Sequence, residues 1–145
     1  MKKSTNDVPR SVVYSFNGRW DKPLISGKVE VFFRKRRPVS MPSRVFFYVG
    51  VPVKKIIGFA EIIKIEPVDL EAAKRIKKSG AITDDELASY IGQNGTVSSL
   101  WIGAPTIFLE PFTLSDLNER LGFNPPQSFS NVSTKFEDFL LGAIR

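Results

Sequence analysis

Cysteine and histidine are both absent from the 145-residue chain. Without cysteine there is no disulfide and no thiolate metal site, which suits a reducing compartment. Without histidine, serine–histidine triads, histidine-bound zinc and imidazole general bases are excluded, and any catalysis falls to Lys, Asp, Glu, Tyr, Ser or Thr. No D-x-D or EF-hand spacing of carboxylates is present either, so neither a metal nor another cofactor is expected. No run approaches the roughly 20 apolar residues that a bilayer span needs. The opening, Met1-Lys2-Lys3-Ser4-Thr5-Asn6-Asp7, turns polar where a signal peptide would turn apolar. The expectation is a soluble, cytoplasmic protein with no membrane partner.

What is present fits one domain: 42% of the residues are hydrophobic, and this length buries a sizeable core. Residues 1–9 are polar, end at Pro9 and read as a flexible tail ahead of a single domain at 10–145. Net charge is +6 and unevenly spread, since residues 1–64 hold 14 of the 21 Lys and Arg but only 4 of the 15 Asp and Glu. A basic half joined to an acidic half is what an anion-binding surface with a solubilising back would show.

Val12, Val13 and Tyr14 suggest a first short strand. Lys28–Arg34, Arg44–Val49 and Ile56–Ile65 are rich in β-branched and aromatic residues and are separated by Pro, Ser and Gly, so they read as neighbouring strands. Val45-Phe46-Phe47-Tyr48-Val49 is apolar on both faces, which calls for a closed barrel with a helix outside. Asp69 caps a helix predicted to run to Lys78. Thr83 and Glu86 stand in the T-x-x-E relation of a capping box for a second helix. Strand character returns at Val97–Ile102 and Thr106–Leu109. Thr113 opens a third helix ending near Gly122, and Phe136, Phe139, Leu140 and Ile144 form a C-terminal apolar stripe. The predicted fold class is α+β, a mixed β-barrel with peripheral helices.

On a Lys28–Arg34 strand, a period of two places Lys28, Glu30, Phe32 and Arg34 on one face. Two cations, a carboxylate and a ring supply phosphate contacts, a base-edge acceptor and a stacking platform, the combination that single-stranded RNA recognition uses; a solvated face with Phe32 under a helix is the alternative. Arg34-Lys35-Arg36-Arg37 is the densest charge run and repels itself unless an anion lies nearby. Trp20, between Arg19 and Asp21, serves either as a stacking platform or as a lid over the barrel mouth. Lys54 and Lys55 add cations to the same half.

Several segments together resemble the ASCH division of the PUA-like superfamily, particularly its small archaeal proteins. They are Ser26-Gly27-Lys28 with Glu30 and Arg34, the run from Tyr48 through Gly50-Val51-Pro52-Val53-Lys54-Lys55 to Ile62, and Pro125-Pro126-Gln127-Ser128-Phe129. The similarity extends in order over roughly residues 24–130. It implies a PUA-like mixed barrel with a ligand cleft beside the Gly-Lys-Glu-Arg segment, for RNA or a modified nucleotide. The usual pattern is G-x-K-x-x-E-x-R, whereas here Gly27 and Lys28 adjoin and Arg34 follows Glu30 by four.

The leading expectation is therefore a non-catalytic RNA-binding module using Lys28, Glu30, Phe32, Arg34, Lys35, Arg36, Arg37, Trp20, Lys54 and Lys55. A hydrolase of modified nucleosides or RNA is the alternative, with Lys28 and Glu30 or Glu61 as general acid and base once burial lowers the lysine's proton affinity. A transcription-regulatory protein-interaction domain is a third reading, which would use apolar rather than charged surface.

Overall fold

The computed structural model describes residues 11–142; the expected tail at 1–9 and the end of the C-terminal stripe at Ile144 lie outside them. The order is β1 (Ser11–Phe16), a 3-10 turn (Gly18–Trp20), α1 (Asp21–Ile25), β2 (Val31–Arg34), β3 (Arg44–Val49) and β4 (Lys55–Asp69). There follow α2 (Leu70–Arg75), a second 3-10 turn (Lys77–Gly80), α3 (Asp84–Ile91), β5 (Thr96–Ile102), β6 (Thr106–Thr113), α4 (Leu114–Leu121), β7 (Phe129–Asn131) and α5 (Thr134–Leu141).

The strands form one sheet in the order β2-β5-β4-β3-β1-β7, with β6 paired to β4. β1 and β3 are parallel and the other pairs antiparallel, so the sheet is mixed. β4 joins its two halves: the first part pairs with β3 and β6, the later part with β5, and the register shifts between Ile62 and Lys64. Such a bulge bends a strand and increases its twist. The bend brings β2 back over β1, where Phe32 meets Tyr14 and Phe16 with ring centroids 5.2 and 5.1 Å apart. Among the described residues no ladder joins β2 to β7, so the α+β barrel expected from the sequence is curled but not strictly closed.

Three apolar clusters follow from this curl. The barrel interior takes Val12, Tyr14 and Phe16 of β1, Val45, Phe47 and Val49 of β3, and Phe32, Ile57 and Leu100. Alternate residues of the same strands, Val13, Phe46 and Tyr48, point outward and are covered by α4 and α5 through Leu117, Leu140 and Leu141. Val31 and Phe33 of β2 lie under α2 and α3 with Ala73, Leu87 and Ile91. β3 is therefore apolar on both faces because both are covered, as its sequence required. Glu137 of α5 accepts from Ser11 Oγ and Arg44 Nη1, tying that helix to β1 and β3.

Two predicted elements come out shorter. The Lys28–Arg34 strand begins only at Val31, because Gly27 takes a left-handed φ of 77° and the Glu30 N–H is held by the Ser79 carbonyl outside any ladder. The helix from Asp69 keeps its cap, with the Asp69 carboxylate accepting from Ala72 N–H, but stops at Arg75 and tightens into the 3-10 turn. α1 and β7 were not anticipated; both are short and lack a run of apolar periodicity.

Candidate functional site

The predicted Lys28-Glu30-Phe32-Arg34 face is divided by the fold. Lys28 and Glu30 are exposed before β2 starts, while Phe32 is only 4% exposed and belongs to the barrel interior. Its ring is packed by Tyr14 and Phe16 and offers no free stacking surface. Arg34 turns inward as well. Its guanidinium lies 4.4 Å from the Phe16 ring centroid, and its Nη2 donates to the Ser15 carbonyl at 2.9 Å, while its Nε is buried without a partner. Burial lowers its proton affinity, with the Tyr90 and Tyr14 hydroxyl groups opposing that trend. Trp20 is a lid: it packs on the interior cluster, and the Arg19 guanidinium covers its ring at 3.9 Å.

Lys35, Arg36 and Arg37 remain exposed on the loop after β2. Arg36 and Arg37 form no ion pair or side-chain hydrogen bond among the described residues. The loop is anchored by its backbone, since the Tyr14 hydroxyl donates to the Arg36 carbonyl at 2.8 Å and the Lys35 N–H donates to the Tyr90 hydroxyl at 2.9 Å. Lys54 and Lys55 sit at the β3–β4 hairpin, which is anchored by Gly50 N–H donating to the Phe16 carbonyl. Both cationic segments are thus anchored to β1, the loop through the Tyr14 side chain and the hairpin through the Phe16 backbone. Glu61 is exposed on β4; its carbonyl takes the Gly103 N–H, and the Glu30 carbonyl takes the adjacent Ile102 N–H. Lys28 lies in the same stretch but is exposed, without the burial a lysine base requires.

A cavity of about 470 Å³ opens between the hairpin, the start of α4 and the chain after it, lined by Val53, Lys54, Thr113, Leu114, Ser115, Asn118 and Asn124. Lys54 holds a left-handed φ of 53°, unusual for a residue with a side chain, and its carbonyl accepts from Leu114 N–H at 2.9 Å. Thr113 caps α4 by accepting from Asp116 N–H. Across the sheet, Tyr48 pairs with Ile56 and Ile56 with Phe112, one row from the pair of Lys55 with the cavity residue Thr113. The Tyr48 ring packs on Phe123 at 5.9 Å, beside Asn124. Burial raises the Tyr48 pKa, and its hydroxyl has no hydrogen-bond partner among the described residues. Ser15 is the register partner of Tyr48 on β1, and the Ser15 N–H donates to the Ser128 carbonyl at 3.0 Å. Ser128, immediately before β7, Ser15 on β1 and Tyr48 on β3 therefore follow one another in a row.

Of this second site, the candidate list drawn from the sequence contained only Lys54. Tyr48 reads in the sequence as part of the apolar β3 run, and Ser128 only as part of a segment carrying the family resemblance. Asn118 and Asn124 carry no local motif, because they meet only after α4 has turned the chain. Among the described residues no group of three or more Asp and Glu could hold a metal ion, and no helix is long and apolar enough to cross a membrane.

A curled mixed sheet, helices outside both halves, and an open cavity at the hairpin define an α+β barrel of the PUA-like kind. No family model matches the chain. It is 30% identical over 131 residues to an ASCH domain-containing ribonuclease of Zymomonas mobilis, covering 86% of each protein, and so belongs to the ASCH domain family. The crystal structure of ASCH from Zymomonas mobilis superposes with a TM-score of 0.83 at 26% identity, over 92% of this chain and 94% of that one. That protein has also been solved with a tyrosine replaced by phenylalanine and with a serine replaced by alanine. The N-terminal domain of Staphylothermus marinus McrB shares the fold, with a TM-score of 0.59 at 11% identity over 99% of this chain and 97% of that one. The narrower likeness to small archaeal proteins is not supported, because the relative matched in sequence is bacterial.

Proposed function

We propose that this chain binds RNA across its hairpin face, with Arg36 and Arg37 at one end of the path and Lys54 at the other. The observation that carries this reading is the pair of cationic segments, both anchored to β1, in which Arg36, Arg37 and Lys54 have no carboxylate partner among the described residues, with Lys54 lining an open cavity. Unpaired cations are free to neutralise phosphates, and each neutralised phosphate releases condensed counterions. The name of the Zymomonas relative supports RNA over other polyanions. Lys28 and Lys35, exposed near the same end of the barrel, extend the basic surface, whereas Phe32, Arg34 and Trp20 act by holding the barrel that carries it. Binding takes place in the cytoplasm, where single-stranded RNA is available and the cysteine-free chain needs no oxidation.

A second reading, RNA cleavage, is favoured by the same relative, a ribonuclease, and by the free Tyr48 hydroxyl. Burial keeps that hydroxyl protonated well past neutral pH, so it would donate to a phosphate oxygen, with Lys54 balancing the charge that develops there. In this reading the acid is Tyr48 rather than the exposed Lys28, Glu30 or Glu61.

Titration of a fluorescent RNA decamer into the protein at several salt concentrations tests binding, and product analysis of the same mixtures tests cleavage. Replacing Arg36, Arg37 and Lys54 together by Ala should weaken binding and reduce the slope of log affinity against log salt by about 2, the share of three single-strand phosphate contacts. An unchanged slope would show these residues to be merely solvated.

A further inference from the structure

The cavity beside Lys54 contains a pair of amides whose orientation the structure sets. Asn118 Nδ2 donates one hydrogen to the Phe123 carbonyl at 3.1 Å and the other to Asn124 Oδ1 at 3.2 Å. With both hydrogens committed, Asn118 cannot turn its amide over without losing two bonds, so its Oδ1 is left as an acceptor. Asn124 spends its oxygen on Asn118 and keeps its Nδ2 donors. Neither free atom has a partner among the described residues. An acceptor and a donor are therefore left free on two hydrogen-bonded residues lining a space of about 470 Å³, whose other walls include Val53 and Leu114, apolar surface for the face of a flat ring. Pockets of this size, mostly apolar with a few fixed polar groups, hold ligands as large as a nucleoside.

The geometry points to a nucleobase subsite: one unstacked base of the bound strand enters the cavity, lies on Val53 and Leu114, and is read by Asn118 Oδ1 and Asn124 Nδ2, while Lys54 takes its phosphate. The inference rests on the RNA reading above and adds base selectivity to it. Adjacent donor and acceptor groups on a base edge satisfy the amide pair bidentately, and one such contact discriminates between bases by about tenfold or more.

Asn124 separates this subsite from mere surface polarity. It is exposed, and Asn124→Asp preserves the oxygen that accepts from Asn118 while replacing the free donors by a second acceptor. Two adjacent acceptors match guanine, whose N1–H and N2–H are neighbouring donors. Affinities would be measured by fluorescence anisotropy for decamers of adenosine, cytidine, uridine and 7-deazaguanosine, the last chosen because it does not form quadruplexes. The wild type should separate its strongest and weakest decamer by about tenfold. Asn124→Ala should flatten that range towards the weakest with the salt slope unchanged, and Asn124→Asp should move the preference to 7-deazaguanosine. Equal wild-type affinity for all four, or a preference that survives both substitutions, would overturn the subsite and leave phosphate binding standing. Failure to bind any decamer would overturn the RNA reading itself.

Discussion

Arg34 shows how a residue chosen for its charge serves a different purpose. Its guanidinium is surrounded by Phe16, Phe32 and Tyr14 and pairs with a backbone carbonyl rather than a carboxylate. A buried charge costs desolvation that one neutral hydrogen bond recovers only in part, and burial accordingly lowers its proton affinity. Arg34→Met, which fills the same space without the charge, should change stability by less than about 1 kcal/mol, whereas Arg34→Ala should lower it by about 2 kcal/mol through the void and the unpaired Ser15 carbonyl. Urea denaturation of the two variants checks this, and equal losses would contradict it. Tyr48 makes the opposite case. Its hydroxyl has no partner, so Tyr48→Phe should leave stability within about 0.5 kcal/mol of the wild type while reducing any RNA cleavage. A large loss of stability would mean that the hydroxyl holds the fold together.

Between elements, the contact most open to test joins the segment after β1 to α3. Glu86 completes the capping box with Thr83 and receives both Arg19 Nε at 2.9 Å and Nη2 at 2.7 Å. Arg19's hydrogen bond, then the Thr83 backbone, lowers the Glu86 pKa below its ordinary 4.5. A depressed carboxyl contributes stability above its unfolded pKa and loses it as pH falls through the folded value. Glu86→Gln should therefore reduce stability modestly at pH 7, by under 1 kcal/mol for so exposed a pair (about half that from the ion pair alone), and the two proteins should converge as the pH falls through the lowered Glu86 value. Melting curves at pH 7 and pH 3 measure the difference; an equal gap at both would assign the effect to packing. This capping box was legible in the sequence because its two residues are three apart. The same holds for the caps Asp69 and Thr113 and for most strands, whose signals are local. The left-handed Gly27 that delays β2, the bulge after Ile62 and the Ser128-Ser15-Tyr48 row depend on pairing between distant segments, and no local pattern encodes them. For the same reason the basic run was visible while the amide pair in the cavity was not.

At the scale of the whole molecule, the charge division seen in the sequence acquires a spatial meaning. The basic half supplies β1 to β3, the hairpin and the loop after β2, while the acidic half supplies α2 to α5, which cover the outside of the sheet. In the proposed complex a strand of RNA approaching the hairpin face would meet Arg36, Arg37 and Lys54, which have no internal carboxylate partner among the described residues. A relative in the same family is named a ribonuclease, and this face is proposed to hold RNA. The most direct test of that claim is the salt dependence of RNA affinity for the wild type and for the Arg36, Arg37 and Lys54 triple alanine variant. The account predicts steep linear dependence for the wild type and a slope smaller by about 2 for the variant; salt-independent binding, or identical slopes for the two proteins, would contradict it.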